Sequence, residues 1–188
     1  MDLLTTINGR RAVRDYTPRI VSRDLLTQLA NTAVQAPSAL NNQPWTFGIF
    51  NGQPRLADYG ERAKMHFLTT FSAGSDPHAR MHEMLRQPGF SLFYNASTLI
   101  VIYAKLGGGQ FAIGDCCMAA QNLMLAAHSL GLATCPVGFS QPWLDLAEVK
   151  SEMGVPIHYT AVLPIIIGYP AGKTEPAGRR PAEFVSWL

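Results

Sequence analysis

The sequence predicts one mixed domain of helices and strands built around a single apolar helix, and three observations predict it. First, within the stretch Phe111–Phe139, the part from Asp115 to Gly131 carries no proline, one acid and no Lys or Arg. Its Ala, Leu and Met content favours a helix. Cys116, Ala119, Ala120, Leu123, Met124, Ala127 and Leu130 fall at the spacing of one helix face. Cys117, Met118, Leu125 and Ala126 between them are apolar too, so burial on most sides is expected, in a core or a subunit interface. Second, STLIVIY (Ser97–Tyr103) and AVLPIII (Ala161–Ile167) are short continuous apolar runs of the kind that form buried strands. Third, 188 residues, 47% hydrophobic and 15% charged, are ample for one independent core.

In chain order, residues 2–8 form a short helix with Asp2 as its cap and Gly9 as its stop. The segment GRRAVRDYTP follows, with Arg10 and Arg14 four apart and Arg11 between them, either a solvated basic turn or an anion site. Ser22 caps a helix over 23–35 whose Leu25, Leu26, Leu29, Ala33 and Val34 make one face, ended by Pro37. The loop Pro37–Trp45 gathers Ser38, Asn41, Asn42 and Gln43, a dense set of donors and acceptors suited to the polar edge of a heterocycle. Thr46–Phe50 reads as a strand and Asn51-Gly52 as its turn. Between 53 and 93 the pattern weakens to a helix over Glu61–Phe71, a 72–76 link and a helix from Pro77 capped by Asp76. This segment is expected to form a lid or a substrate-facing wall, with Phe67, Phe71, His78 and His82 as candidates for it. After the central helix, capped by Gly131, come an extended piece at Thr134–Val137 and a helix from Pro142 to Met153 closed by Gly154. Pro164 predicts an edge or a bulge in the last strand. The tail carries a second arginine pair, Arg179-Arg180.

Composition excludes several classes. A net charge of +2 is too small to argue for nucleic acid or an acidic membrane. The central helix, interrupted by Gln121, Asn122 and His128, is a poor membrane span. Three cysteines without CxxC spacing point to reduced thiols, and the opening MDLLTTINGRR shows no secretory signal, so a cytoplasmic protein is expected. Gly107-x-Gly109-x-x-Ala112 sits where a dinucleotide fingerprint would, but no acid follows between Asp115 and Asp145. His78 and His82 have metal-pair spacing without a third ligand, so no metal is expected. Cys116 and Cys117 near a helix start suit core packing better than an activated thiol. What survives is distributed: an arginine cluster at each end and a Ser/Asn/Gln loop between them, suited to a cofactor with a phosphate at one end and a hydrogen-bonding ring at the other.

Four segments in order resemble the nitroreductase family of FMN-dependent oxidoreductases: RRAVRDYTP, APSALNNQPW, GDCCMAAQNLMLAAHSLGLATCPVGF, and LPIIIGYPA with RRPAEFV. The resemblance covers most of the chain apart from about 53–90. It implies an α+β fold over 1–188, a mainly antiparallel central sheet flanked by helices, in an intertwined homodimer with two FMN sites at the interface. By motif match, Arg10 and Arg179 would hold the FMN phosphate with help from Arg180, through charge-assisted contacts. Arg11 and Ala12 lie in the same motif. Arg14 would lie at the pyrimidine edge of the flavin, where a fixed cation favours the reduced anion. Pro37, Ser38 and Asn41 would reach the flavin from the partner subunit, with Gln43 supporting the loop. Backbone N–H groups of Val137 and Gly138 would address the flavin N5. Ala12 stands where many members have Ser, Val137 where many have Gly or Glu, and 53–90 offers no clear Asn or Lys for the flavin ring.

The function so implied is reduction of nitroaromatic, quinone or similar acceptors by NAD(P)H through tightly bound FMN, with ping-pong kinetics and no catalytic side chain. The partners implied are a second copy of the chain and a small-molecule electron acceptor. Two other readings are a specialised flavin enzyme of the same fold, dehalogenating or ring-oxidising, and a non-enzymatic flavin-binding module.

Overall fold

The computed structural model describes residues 1–71, 76–105, 109–174 and 177–187, with the backbone alone for 76–78. Expectations for the 72–75 link, the Asp76 cap, His78 and Gly107 fall outside what it describes. Its elements are α1 (Leu3–Gly9), α2 (Arg23–Ala33), β1 (Trp45–Asn51), α3 (Gln53–Thr70), α4 (Asp76–Leu85), β2 (Thr98–Ala104), α5 (Ala112–Ser129), β3 (Ala133–Pro136), α6 (Gln141–Leu144), α7 (Ala147–Glu152) and β4 (Thr160–Gly168). The strands form one sheet in the order β1-β2-β4-β3, every pairing antiparallel, so the α+β reading holds and a parallel dinucleotide fold is excluded.

Strand alternation divides the core into two layers. Leu99, Val101 and Tyr103 of β2 face α3 and α6 residues such as Leu56, Tyr59, Phe67 and Trp143. Ile100, Ile102 and Ala104 face α2 and α5, through Leu26, Leu29, Ala119 and Leu123. In β4, Val162 shares a layer with Ile165 and Ile167 although their numbers differ in parity. A register shift opposite Ile102/Tyr103 accounts for it, because one extra residue flips every later side chain to the other face. Pro164 therefore neighbours a bulge, as expected, but sits in a central strand and not at an edge. The strand tolerates it because main-chain N–H and C=O point the same way. The Pro164 carbonyl accepts the Val137 N–H at 2.9 Å, just past the end of β3, so the missing N–H falls where the ladder stops.

Several boundaries differ from the expected ones for local reasons. Helix α3 starts at Gln53, eight residues earlier than expected, with Pro54 in its first turn, a position where the missing N–H costs nothing. The single helix expected over 142–153 is two short ones, broken at an extended Leu146. The Asp145 carboxylate accepts the Ala161 N–H at 2.9 Å and pairs with Lys150 Nζ at 3.0 Å, which ties the break to β4. Gly9 is the last helical residue of α1 and not a left-handed stop. A Cβ there would lie 2.7 Å from His128 Nε2, so its glycine serves close packing of α1 on α5. Gly131, with φ +77°, does end α5 in the left-handed conformation.

Burial of α5 is one-sided. Cys116, Ala119, Ala120, Leu123 and Ala127 are fully buried, while Ile113, Met118 and Leu130 remain exposed on the same chain. The thiol of Cys116 is pushed up to about 12, first by burial, and it is a core residue without thiolate character.

Gly168→Ala is expected to destabilise the fold, because a Cβ there would stand 2.9 Å from the ring of fully buried Tyr16. A cost of about 1–3 kcal/mol should appear as a lower midpoint in thermal unfolding. Gly172→Ala, with nothing within 4 Å, serves as the control that does not move.

Candidate functional site

The arginine motif is not a turn. Residues 12–17 run extended beside the sheet, Ala12 bridging Thr134 in parallel and Tyr16 bridging Pro170 in antiparallel fashion. Main-chain bonds hold it in place: Val13 N–H to Thr134 O at 3.0 Å, Thr17 N–H to Tyr169 O at 2.8 Å and Ala171 N–H to Asp15 O at 3.1 Å. Tyr16 is 2% exposed and its hydroxyl donates to the Val13 carbonyl at 2.6 Å.

Three adjoining cavities follow this segment. The first, about 200 Å³, is lined by Arg10, Arg11, Val13, His128, Thr134 and Thr174 among others. The second, about 310 Å³, is formed by Ala12–Asp15 against Gly172, Lys173 and Thr174. The third, about 450 Å³, lies between Arg14 and the turn Cys135–Phe139, with Met84, Leu92 and Tyr94 as its far wall. Val13 and Thr174 are common to the first two and Arg14 to the last two. A basic end, a middle formed by Ala12–Asp15 and a wide, mostly apolar end thus adjoin one another.

The basic end carries uncompensated positive charge. Burial, and then the charges of Arg11 and Arg179, hold the Arg10 pKa below the usual arginine value. Burial, and then Arg10 and Arg11, likewise lower the His128 pKa. The ion pairs among the described residues involve Arg62, Lys64 and Lys150, none of them in this cluster. Such a site stabilises a bound anion. Arg11 is turned away from the cavity's centre, its Nη1 donating to the Asn8 carbonyl at 2.7 Å and the Arg10 carbonyl at 2.8 Å. Arg179 Nη1 contacts its own neighbour, the Gly178 carbonyl, at 3.3 Å, and Arg180 is exposed.

Val137 and Gly138 both line the wide cavity, but not with equal donors. The Val137 N–H is spent on the Pro164 carbonyl, and its own carbonyl accepts from Ser140 Oγ at 2.7 Å. The expected N–H contact from Val137 is therefore corrected: this turn offers a ligand donors from Gly138 onward and only the side chain of Val137.

Pro37, Ser38, Asn41 and Gln43 lie outside all three cavities. Their loop is internally braced, Ser38 Oγ accepting the Gln43 N–H at 3.0 Å and Gln43 Nε2 donating to Asn41 Oδ1 at 3.1 Å. Buried Asp115 on α5 accepts the Ala39 N–H on both carboxylate oxygens at 3.3 Å. Leu40, Asn41 and Gln43 all have positive φ, and Leu40 stands 94% exposed. One chain thus presents this loop outward and does not bring it to the arginines.

Other functional candidates carry no sequence signal. Lys173, Thr174 and His128 border the basic end, while Met84, Leu92, Tyr94 and Phe139 wall the wide one. Of the expected wall residues, Phe67 packs on Phe71 at 4.8 Å and on Phe139 at 5.3 Å. His82 is 3% exposed, its Nε2 2.5 Å from the Phe71 carbonyl. They support the wall from behind and do not face the cavity.

The nitroreductase family profile matches residues 7–169, which takes in the end of α1, the arginine segment and all four strands. The chain belongs to the nitroreductase family. A Methanothermobacter thermautotrophicus protein, provisionally named an NADH dehydrogenase/NAD(P)H nitroreductase, is 29% identical over 91% of this chain and 78% of its own. The FMN-bound nitroreductase of Bacteroides fragilis superposes with a TM-score of 0.80 at 26% identity, covering 98% of this chain and 97% of that one. The FMN-bound nitroreductase of Desulfitobacterium hafniense gives 0.81 at 25% identity with the same coverage.

Within this nitroreductase-family chain, His128 reports on the basic end. Its titration, followed by NMR, is expected to move upward in Arg10→Ala, and upward again when inorganic phosphate is added to the wild type. Removing a cation, or adding an anion, favours the charged imidazolium in either case. A His128 titration that ignores both changes would remove it from the cluster.

Proposed function

We propose that the chain is an FMN-dependent NAD(P)H oxidoreductase that reduces nitroaromatic, quinone or similar acceptors. The observation that carries this reading is the set of three adjoining cavities, with arginines that form no ion pair among the described residues at one end and a wide apolar end at the other. Its polarity and order fit a phosphate, a polyol chain and a planar ring. When bound, FMN supplies the two-electron relay between nicotinamide and acceptor; the chain's own residues bind, orient and shield it. Arg10 and Arg179 hold the phosphate by charge-assisted hydrogen bonds, with Arg180 and Lys173 adding positive field. Arg11 serves indirectly, pinning the end of α1 so that Arg10 faces the cavity. Ala12 and Val13 line the middle cavity, where the lack of a Ser hydroxyl at 12 removes one hydrogen bond. Arg14 places a cation at the ring's electron-accepting edge. Nicotinamide and acceptor use the open face of the same wide cavity in turn, which gives ping-pong kinetics and needs no separate dinucleotide domain.

A homodimer completes the reading. Exposed apolar residues on and before α1 (Met1, Leu3, Leu4, Ile7), on and just after α5 (Ile113, Met118, Leu130) and in the tail (Phe184, Val185, Trp187) are too many for a free surface. A second copy covering them brings its Pro37–Gln43 loop, which carries Ser38 and Asn41, to the ring that one chain leaves uncovered. Purified protein is expected to run at twice the chain mass in light scattering, and a monomer binding FMN at full strength would remove the loop from the site.

Arg179→Ala should weaken FMN binding about 10- to 100-fold, the worth of roughly 1.5–3 kcal/mol for a charged hydrogen bond. Unchanged affinity in a fluorescence titration would exclude Arg179. Anaerobic addition of NADH or NADPH should bleach the bound flavin, and a nitroarene or quinone should restore its colour. Bleaching without reoxidation by any such acceptor would favour a specialised enzyme of this fold, and no bleaching would favour a binding module.

A further inference from the structure

The wide cavity contains an arginine held by an aromatic ring, and the ring is held in turn by a backbone conformation that its residue type resists. Tyr94 and Asn95 are consecutive left-handed residues, with φ +48° and +58°. Asn tolerates this region, but a tyrosine there is strained by about 1–2 kcal/mol and persists only when its surroundings over-determine it.

Asn95 supplies that constraint. Its Oδ1 accepts the Tyr16 N–H at 3.2 Å, and its Nδ2 donates to the Tyr16 carbonyl at 3.1 Å and to Asp15 Oδ1 at 3.3 Å. The side-chain amide thus pairs with both main-chain groups of Tyr16 as a neighbouring strand would. Its own carbonyl accepts Gln53 Nε2 at 2.9 Å. The turn bearing Tyr94 and the segment bearing Arg14 are therefore one joined unit. Within it the Arg14 guanidinium carbon lies 5.9 Å from the centroid of the Tyr94 ring, which packs edge-on against Phe90 at 5.5 Å.

We infer that Tyr94 is a positioning residue: its ring holds the Arg14 guanidinium at the cavity wall, and so sets how strongly the site favours a reduced, anionic flavin over an oxidised one. The inference rests on the FMN reading above. An aromatic partner suits this task where a carboxylate does not. A carboxylate would orient the guanidinium but cancel its field, whereas a ring face orients it and leaves the charge directed at the ligand. No ion pair among the described residues engages Arg14.

The test is the midpoint potential of bound FMN, by dye equilibration, with the FMN dissociation constant and a thermal melt for each variant. Tyr94→Phe keeps the ring and is expected to keep the wild-type potential. Tyr94→Ala is expected to lose about tenfold more affinity for reduced than for oxidised FMN, which lowers a two-electron potential by about 30 mV. Asn95→Ala should shift it in the same direction. If Tyr94→Ala does not fold, Tyr94→Leu keeps apolar bulk without a ring and should show the same fall. A potential unchanged in the variant lacking the ring, with FMN still bound, overturns the inference and leaves the FMN reading intact. An equal shift in Tyr94→Phe overturns it too, since the ring would not be the agent. Wild-type protein that binds no FMN overturns both.

Discussion

The site depends on the docking of one extended segment, Ala12–Thr17, onto the ends of β3 and β4. Three main-chain hydrogen bonds hold it, each netting about 1 kcal/mol, and the buried Tyr16 ring adds the apolar contribution that makes the position unique. Gly168 matters for the same reason, since only a residue without a Cβ lets the Tyr16 ring approach the strand. Once the segment is seated, its extended reach does the rest. Arg10 lines the basic cavity, Ala12 and Val13 line the middle one, and Arg14 borders both the middle and the wide one. A short run of sequence thus spans the whole candidate ligand because it is extended; in a helix of the same length Arg10 and Arg14 would have stacked on one face.

The second organising element is α5, which joins the two halves of the argument. Its buried stripe fills the layer shared with α2, and its exposed Ile113 and Met118 remain as surface for a second copy. Its first turn also carries Asp115, whose carboxylate fixes the amide-rich loop through the Ala39 N–H. The helix expected to be either a core axis or an interface is a core axis on one side, and its exposed side is the surface the proposed homodimer would cover. A homodimer packed on it would place each chain's loop by the same contact that stabilises the pair.

How much of this was legible depends on whether the signal was local. Strands β2 and β4, the Asp2 and Ser22 caps and the Gly131 stop were readable because a few neighbouring residues specify them. The break at Leu146 was not, because its cause is the Asp145 carboxylate reaching a strand sixteen residues on. Pro164 read as an edge signal from its missing N–H alone, and only the end of β3 shows why a central strand accepts it. The arginines at both ends of the chain came from motif order, and the structure places Arg10 and Arg11 of the first cluster on the basic cavity. Assigning Val137 an N–H contact failed because no sequence pattern reveals that its donor is already used. Tyr94 was invisible for a related reason: its place follows from a left-handed backbone held by Asn95 across a separation of 79 residues.

The cluster of Arg10, Arg11, Arg179 and His128 has a further physical consequence. Like charges gathered with partial burial, and with no acidic partner among the described residues, oppose folding, as the lowered Arg10 and His128 pKa values both register. A chain selected for stability alone would place a carboxylate here, and acids are available nearby, for Asp15 lines the adjacent cavity. Under the function proposed above, a bound anion would be the counterion of this charge. Its binding would relieve the repulsion and add stability in proportion to the logarithm of its concentration over its dissociation constant. The same arginines that oppose folding would then account for the affinity with which the anion is held.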